Sequence, residues 1–538
     1  MTRAHAALGA LAAAAGIVAA IFTWQPGLAS LYDDSVSYLV MAQAFSPFGA
    51  ASAAISAAAP NEKYPPLFPL VLALGGGAHD WRIAHLWVAA AFAASVFFLG
   101  VHARNATASE RIGWAAALVF AWMPGVWLNV KGILSEFPYM ALTFATLACY
   151  ERLRTRPATR ADYAGLGALL AVVMLTRTIG VALVAAVAAA EAWRFARERD
   201  RARLANAAWA LAIPIVAAAL WYALRPKGGE DAYLAFGSGV AQGTAQHGLG
   251  WALGIAGMNL PALADAWLTA LLIYWGEPWR PGFMIATFVG ASGVIGTLWR
   301  AARGEADAFY VLAFVAILAA WPFPGQMYRL ALPVMPLLVV HALWLWQRLA
   351  ARFADESQVR AWAASAAAVP LLVCVPAVLF YIAARAGEAG DTVAVGYRKG
   401  DIAEFYRIPD RVAAEANALQ QIEIFEDMEQ IRRSTPEAAR VMWYAPGYIA
   451  LLTGRRGVAL ERRGGLADMA AQMRAAKPDY IYLAAAHPRD SARRLGDPLD
   501  AIGAALPFSE GLWQRVNARG ALESILLKVD PSRIVSPP

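Results

Sequence analysis

Eleven apolar runs fill most of the first 384 residues: 5–24, 83–103, 112–130, 137–151, 163–177, 178–194, 205–224, 281–299, 308–323, 330–347 and 361–383. About 20 apolar residues carry a helix across a bilayer core, so this pattern predicts a polytopic membrane domain of about 11 spans. The ends of the runs between 137 and 194 are the least defined, because these runs are short or closely joined. The run 263–275 is too short to cross and is expected to lie at the interface.

Charge divides the chain in two. Residues 1–384 hold 25 Lys/Arg and 19 Asp/Glu, whereas residues 385–538 hold 21 and 20 in less than half the length. The first part is too apolar for an ordinary soluble domain and the second has the composition of one. The net charge of +7 does not point to nucleic acid, because the excess lies in short connections between apolar runs. With the N-terminus inside, the inner connections (1–4, 104–111, 152–162, 194–204, 300–307 and 348–360) carry 17 of the 25 basic residues. The outer ones are more than twice as long in total yet hold eight, a positive-inside pattern. An odd number of spans then places residue 385 onward outside. In an Ala- and Arg-rich chain this suggests a bacterial inner membrane with a periplasmic C-terminal domain. Arg3 followed by an apolar run resembles a signal peptide, but no cleavage site stands out from the Ala-rich background, so the run reads as an uncleaved first span. Cys149 and Cys374 both fall inside apolar runs and imply neither a disulfide framework nor a metal site.

Residues 385–538 read as a small α/β domain. Strands are expected at 441–445 and 480–484, a helix at 446–453 ending on Gly454, and another helix at 465–476. The alternation favours a parallel or mixed sheet. No nucleotide-binding glycine motif and no metal-ligand spacing occurs there.

Chemistry is expected in the outer connections. Two of them, 25–82 and 225–280, are long. The first contains Tyr32-Asp33-Asp34-Ser35-Val36-Ser37-Tyr38. Asp33 and Asp34 either supply general-base or cation-binding carboxylates or cap the helix 35–45. Both hold if one caps while the other faces a cleft. Further on, Lys63-Tyr64-Pro65-Pro66 stiffens the chain where it re-enters the membrane and sets Lys63 at headgroup depth, to meet a phosphate or simply to snorkel. Glu136 opens a span after Lys131-Gly132-Ile133-Leu134-Ser135, as a third outer acid or an ordinary first-turn residue. Arg177 sits between two apolar runs, an ionisable residue of functional interest by position. Arg329 is the only charge between Asp307 and Arg348 and suits bidentate phosphate binding or interfacial anchoring. Asp33, Asp34 and Glu136 with Lys63, Arg177 and Arg329 are thus predicted at one surface although hundreds of residues separate them.

Taken together, these residues resemble the membrane glycosyltransferases of the GT-C fold that use a polyprenyl-phosphate-linked sugar. The protein O-mannosyltransferases and the bacterial transferases that add aminoarabinose to lipid A belong to this group. The resemblance covers most of residues 1–385. It rests on Asp34-Ser35-Val36-Ser37-Tyr38, on Lys63-Tyr64-Pro65-Pro66, on Ser135-Glu136-Phe137-Pro138 and on Tyr328-Arg329 entering a Pro-containing span. It implies a GT-C-type membrane domain (1–384) followed by a variable soluble domain (385–538). Asp34 would be the catalytic base, better aligned than Asp33, and Lys63, with Arg329 and Arg177, would hold the lipid phosphate. The implied partners are a polyprenyl-phosphate-linked sugar, membrane lipid, and an acceptor lipid, glycan or protein, with no nucleic acid. Transfer would be inverting, of a hexosyl or pentosyl group. No cofactor is required; three carboxylates could hold a divalent metal, but no Trp-Trp-Asp-type motif of the metal-dependent oligosaccharyltransferases is present. The segment 50–59 is unusually rich in Ala and Ser, a departure at the acceptor entrance. The rival classes are a secondary transporter, for which no internal repeat is visible, and a non-catalytic envelope-assembly scaffold.

Overall fold

The computed structural model describes residues 3–24, 27–28, 34–61, 64–156, 158–225, 232–273, 279–321, 324–355, 358–359, 365–387, 410–460, 466–484, 501–516 and 520–535. Asp33 and Lys63 lie outside the described residues. The membrane part is built of helices α1 (Arg3–Thr23), α2 (Ser35–Phe45), α3 (Ala53–Ala58), α4 (Leu67–Leu74), α5 (Trp81–Thr107), α6 (Glu110–Ala121), α7 (Pro124–Asn129), α8 (Glu136–Arg154), α9 (Arg160–Thr176), α10 (Val181–Glu198), α11 (Arg201–Leu224), α12 (Ala232–His247), α13 (Leu249–Leu272), α14 (Arg280–Ala301), α15 (Ala306–Ala319), α16 (Met327–Leu330) and α17 (Met335–Ala350), and a final helix Ala368–Gly387. Among the described residues, seven helical segments are long and apolar enough to cross a membrane by length and composition.

Local chemistry sets many of the boundaries. Asp80, Ser109 and Asp200 accept a backbone N–H at the starts of α5, α6 and α11, and Thr159 with Asp162 forms a capping box at α9. Prolines account for two departures from the sequence expectation. The run 112–130 is not one helix: α6 ends at Ala121 and α7 starts afresh at Pro124. The run 330–347 becomes helical only from Met335, because the ring of Pro333 would clash with the carbonyl of Arg329 in a continuous helix. Residues 324–334 are instead a chain of short turns, and Arg329 sits among them.

The second long connection is more ordered than its apolar content suggests. Residues 263–272 of the run expected at the interface belong to α13, whose 24 residues make it one of the seven helices long and apolar enough to cross, so that run is not too short once 249–262 continue the helix. Contacts from its middle and its second half hold it against α15 and α14. Asn259 Nδ2 donates to the carbonyls of Leu318, Ala319 and Trp321, where α15 ends. Trp267 Nε1 donates to Ala286 O near the start of α14. Elsewhere glycines let helices touch. A Cβ at Gly293 would lie 2.6 Å from Leu338 O and one at Gly296 2.4 Å from His341 O, so α14 meets α17 backbone to backbone.

That close approach serves a buried ionic cluster at the end of the bundle where α15 begins. Arg300 and Asp307 were expected at the two ends of an inner connection. In the fold both are buried: Arg300 donates to both Asp307 oxygens at 2.8–3.1 Å. His102 of α5 and His341 of α17 each place Nε2 3.2 Å from Asp307 Oδ2. Nearby, Arg154 pairs with Glu305, and Arg203 makes a bidentate pair with Glu191, which also accepts from Tyr150. Some of the basic residues that orient the chain therefore also clamp helices together.

The C-terminal part holds a five-stranded sheet of β1 (Arg440–Trp443), β2 (Arg456–Ala459), β3 (Tyr480–Ala484), β4 (Ser509–Val516) and β5 (Leu522–Val529) in the order β2-β1-β3-β5-β4. β1 pairs in parallel with β2 and β3, and β5 is antiparallel to β3 and β4, so the sheet is mixed. The expected helix at 465–476 is found as Leu466–Ala476, and Gly454 ends its helical turn at φ 71°. Alternation along β3 divides the core. Ile481 and Leu483 face Met469 and Met473, whereas Tyr480 and Tyr482 face Phe425 and Met428 of the helix Arg411–Ser434. The second face is continuous with the membrane part, since Ile449 and Trp443 share one buried cluster with Leu39 and Ile55 of α2 and α3.

Removing Asp307 would leave Arg300 buried without its carboxylate. Asp307→Asn is expected to cost about 3–5 kcal/mol, read as a lowered Tm of the detergent-solubilised protein. An unchanged Tm would show that the cluster does not hold the fold.

Candidate active site

Four of the six charged residues singled out in the sequence meet at one end of the bundle, each delivered by a break in a helix. Asp34 directly precedes α2. It occupies the N-cap position, but its carboxylate makes no capping bond. Instead Asp34 Oδ2 pairs with Arg329 Nη1 at 2.9 Å and Oδ1 accepts from the Tyr64 hydroxyl at 2.7 Å. Arg329 comes from the short turns ahead of α17. Arg177 ends α9 in extended conformation, φ −148° and ψ 137°, before the single turn that leads into α10. Glu136 is the first residue of α8, where the helix dipole favours an anion.

The charges alternate. Arg177 Nη1 lies 2.6 Å from Glu136 Oε1, and Arg329 Nε lies 3.6 Å from the same oxygen. Asp34–Arg329–Glu136–Arg177 is thus a row in which every carboxylate faces a guanidinium. Arg177 Nη1 also donates to Ser135 Oγ at 3.4 Å, and Ser135 Oγ and Tyr38 OH share a 2.6 Å bond. Ser35 Oγ accepts from Ile133 N, tying α2 to the turn before α8. Tyr38 and Tyr64 pack ring to ring at 5.0 Å. In the sequence, Tyr38, Tyr64 and Ser135 stand only as spacing landmarks; their hydroxyls carry no pattern that would have revealed this contact.

Exposure separates the roles. The side chain of Glu136 is fully buried and those of Arg329 and Arg177 are 5% and 12% exposed, but that of Asp34 is 23% exposed. Asp34, Arg177, Arg329 and Tyr64 line a cavity of ≈ 170 Å³ whose other walls are mostly apolar, among them Ile179, Ile317, Leu318 and Trp321, with Thr178 and Gln326 as further polar groups. Burial alone would raise the Asp34 carboxyl. Arg329, the Tyr64 hydroxyl and Arg177 outweigh that and hold it below the usual carboxylate value. No group of three His, Cys, Asp or Glu placed to hold a metal occurs among the described residues.

The backbone as a whole matches known structures. The oligosaccharyltransferase of Archaeoglobus fulgidus, solved with zinc and sulfate, superposes with a TM-score of 0.51 at 12% identity, covering 97% of this chain and 72% of that one. The chain has the GT-C fold. The apo form of the same archaeal protein gives 0.50 at 12% identity, over 98% and 74%. ArnT from Cupriavidus metallidurans, solved with undecaprenyl phosphate, gives 0.49 at 14% identity over 98% of each chain. No protein-family model and no curated protein matches. The GT-C-type membrane domain followed by a small α/β domain, expected from the sequence, is therefore borne out as a fold.

The depressed Asp34 carboxyl fixes the sign of a pH effect. The unfolded value is near 3.8, so the ion pair's contribution is complete above that pH and is lost as pH falls through the lower folded value. The Tm difference between wild type and Asp34→Asn is expected to be constant near neutral pH and to shrink below pH 3.8. A difference that grows on acidification would contradict the pairing.

Proposed function

We propose that this protein is an integral-membrane glycosyltransferase. It would move a hexosyl or pentosyl group from a polyprenyl-phosphate donor to an acceptor hydroxyl on the periplasmic side of a bacterial inner membrane, with inversion. The observation that carries the reading is the cavity at Asp34: it presents two guanidiniums and a carboxylate beside a largely apolar wall of Ile179, Val181, Ile317, Leu318 and Leu330. A lipid phosphate is amphipathic in the same way. The fold is one that an oligosaccharyltransferase uses. The positive-inside charge pattern supports a cytoplasmic N-terminus and a periplasmic domain from about residue 385.

In this mechanism the Asp34 carboxylate takes the proton of the acceptor hydroxyl. The oxygen attacks the anomeric carbon, and the bond from that carbon to the phosphate oxygen breaks, its electron pair leaving with the lipid phosphate. Arg329 and Arg177, with Lys63 from the same connection as Tyr64, neutralise the charge that develops. Fixed groups aimed at developing charge usually contribute more to the rate than any other single effect. Glu136 is buried behind both guanidiniums and acts as a positioning residue rather than a base. Asp33 remains a second carboxylate beside Asp34 in sequence. No nucleotide and no cofactor is needed, because the lipid phosphate is itself the leaving group; the carboxylates leave room for a divalent metal without requiring one.

Both Asp34 oxygens are engaged, by Tyr64 and Arg329, which makes a weak base. A donor phosphate competes for the Arg329 guanidinium. As it does so, Asp34 loses the contact that depresses it and gains basicity when a sugar is in place.

Purified protein incubated with a polyprenyl-phospho-sugar and acceptor should release polyprenyl phosphate. Asp34→Asn is expected to cut turnover by ~10²–10⁴ while donor binding persists; near-normal turnover would sink the assignment. Arg329→Gln is expected to lower kcat by about 10²–10³. A wild-type protein that moves a solute across sealed vesicles without releasing lipid phosphate would favour a transporter instead.

A further inference from the structure

A second cavity, of ≈ 350 Å³, lies at the end of the bundle away from Asp34. Its walls are Arg104 and Asn105 near the end of α5, Ala108 and Glu110 where α5 turns into α6, and Glu151, Arg152 and Thr155 at the end of α8. Glu136 is the first residue of α8 and Arg152 belongs to its last turn. At 1.5 Å per residue the Asp34 site and this cavity are roughly 22 Å apart along that helix. α5 has 27 residues. That is roughly 40 Å against about 30 Å for a bilayer core, so Arg104, in its last turn, reaches headgroup depth. Trp114, half-buried and one turn along α6 from Glu110, suits the same boundary, where indoles gather.

The charges in this wall are of both signs, and most of them do not meet. Among the described residues Arg104 and Arg152 pair with no carboxylate and Glu110 pairs with no cation. Arg104 Nη2 donates only to the neutral side chain of Asn105, at 3.3 Å. Glu151 is buried, and its cation is Arg154 at 3.5 Å, which also pairs with Glu305. Opposite charges held apart around one cavity are matched to a ligand that carries both signs. A phosphate diester accepts from guanidiniums, and a primary ammonium donates three N–H bonds to carboxylates. Two guanidiniums alone would select an anionic headgroup. Glu110 and Glu151 in the same wall oppose that choice, and a quaternary ammonium has no N–H to offer them.

We infer that this cavity binds the zwitterionic headgroup of phosphatidylethanolamine, with the phosphate at Arg104 and Arg152 and the ammonium at Glu110 and Glu151. The occupant is the lipid rather than soluble phosphoethanolamine, because the cavity lies between the ends of two spans at headgroup depth, where the lipid is always at hand. This binding is independent of the glycosyltransferase reading, since none of the four residues lines the cavity at Asp34.

The test titrates full-length protein in detergent micelles with phosphatidylethanolamine, phosphatidylcholine and phosphatidylglycerol of one acyl composition and counts retained lipid by native mass spectrometry. Phosphatidylethanolamine is expected to be retained about fivefold over each of the others. Glu110→Gln should abolish the preference over phosphatidylglycerol, because the guanidiniums remain while the ammonium loses a partner. Arg152→Gln should lower phosphatidylethanolamine retention by about fivefold. Both positions are exposed, so the variants read binding rather than folding. Equal retention of the three lipids by wild type, an unchanged preference in Glu110→Gln, or unchanged retention in Arg152→Gln would overturn the proposal. Displacement of the lipid by soluble phosphoethanolamine would overturn it as well, by placing a soluble zwitterion in the cavity.

Discussion

The row Asp34–Arg329–Glu136–Arg177 is the interaction on which the site depends. Four charges drawn into a half-apolar surface are costly unless each faces an opposite one. Here they are supplied by the residue before α2, the first residue of α8, the end of α9 and the turns before α17. Each lies where a helix starts, stops or is broken, because such positions can turn a side chain inward without disrupting a span. Glu136 is the hinge of the row. It touches both guanidiniums, is fully buried, and leaves Asp34 as the carboxylate that meets the cavity.

The opposite end of the bundle is held by the same physics in a closed form. Asp307 faces Arg300, His102 and His341, and glycines at 293 and 296 let the helices come close enough for that geometry. None of these four side chains lines the cavity at Asp34. The Asp307 cluster therefore has its charges enclosed among helices, and the end at Asp34 is open, with one carboxylate partly exposed. The C-terminal sheet extends the open end. It shares its core with α2 and α3 and so is packed against the connection that carries Asp34 and Tyr64.

Much of this was legible in the chain. Apolar runs located α1, α5, α10, α11 and α14 to within a few residues, because a helix in a bilayer must satisfy its own backbone and is marked by length and hydropathy alone. The strands at 441–445 and 480–484 and the helix at 465–476 were legible for a similar reason, as short apolar or periodic segments bounded by Gly and Pro. Strands β2 and β4 were not, since both are edge strands with few buried residues and no continuous apolar signal. β5 does carry an apolar run, 525–527, that was legible but is absent from the expected strands. The helix Arg411–Ser434 carries many charges and was hidden by its composition.

By itself the sequence determined the division into an apolar and a polar part, the presence of many spans, and the candidate charges at one surface. These follow from composition and order along the chain. Only the tertiary structure decided which charges meet. A capping aspartate and an aspartate aimed at Arg329 have the same neighbours in sequence, and the choice lies in a contact across 295 positions. Arg300 and Asp307 likewise look like loop charges until α5, α14, α15 and α17 close around them. A side chain's partner depends on how helices cross, and helix crossing is set by the packing of the whole bundle rather than by any one segment.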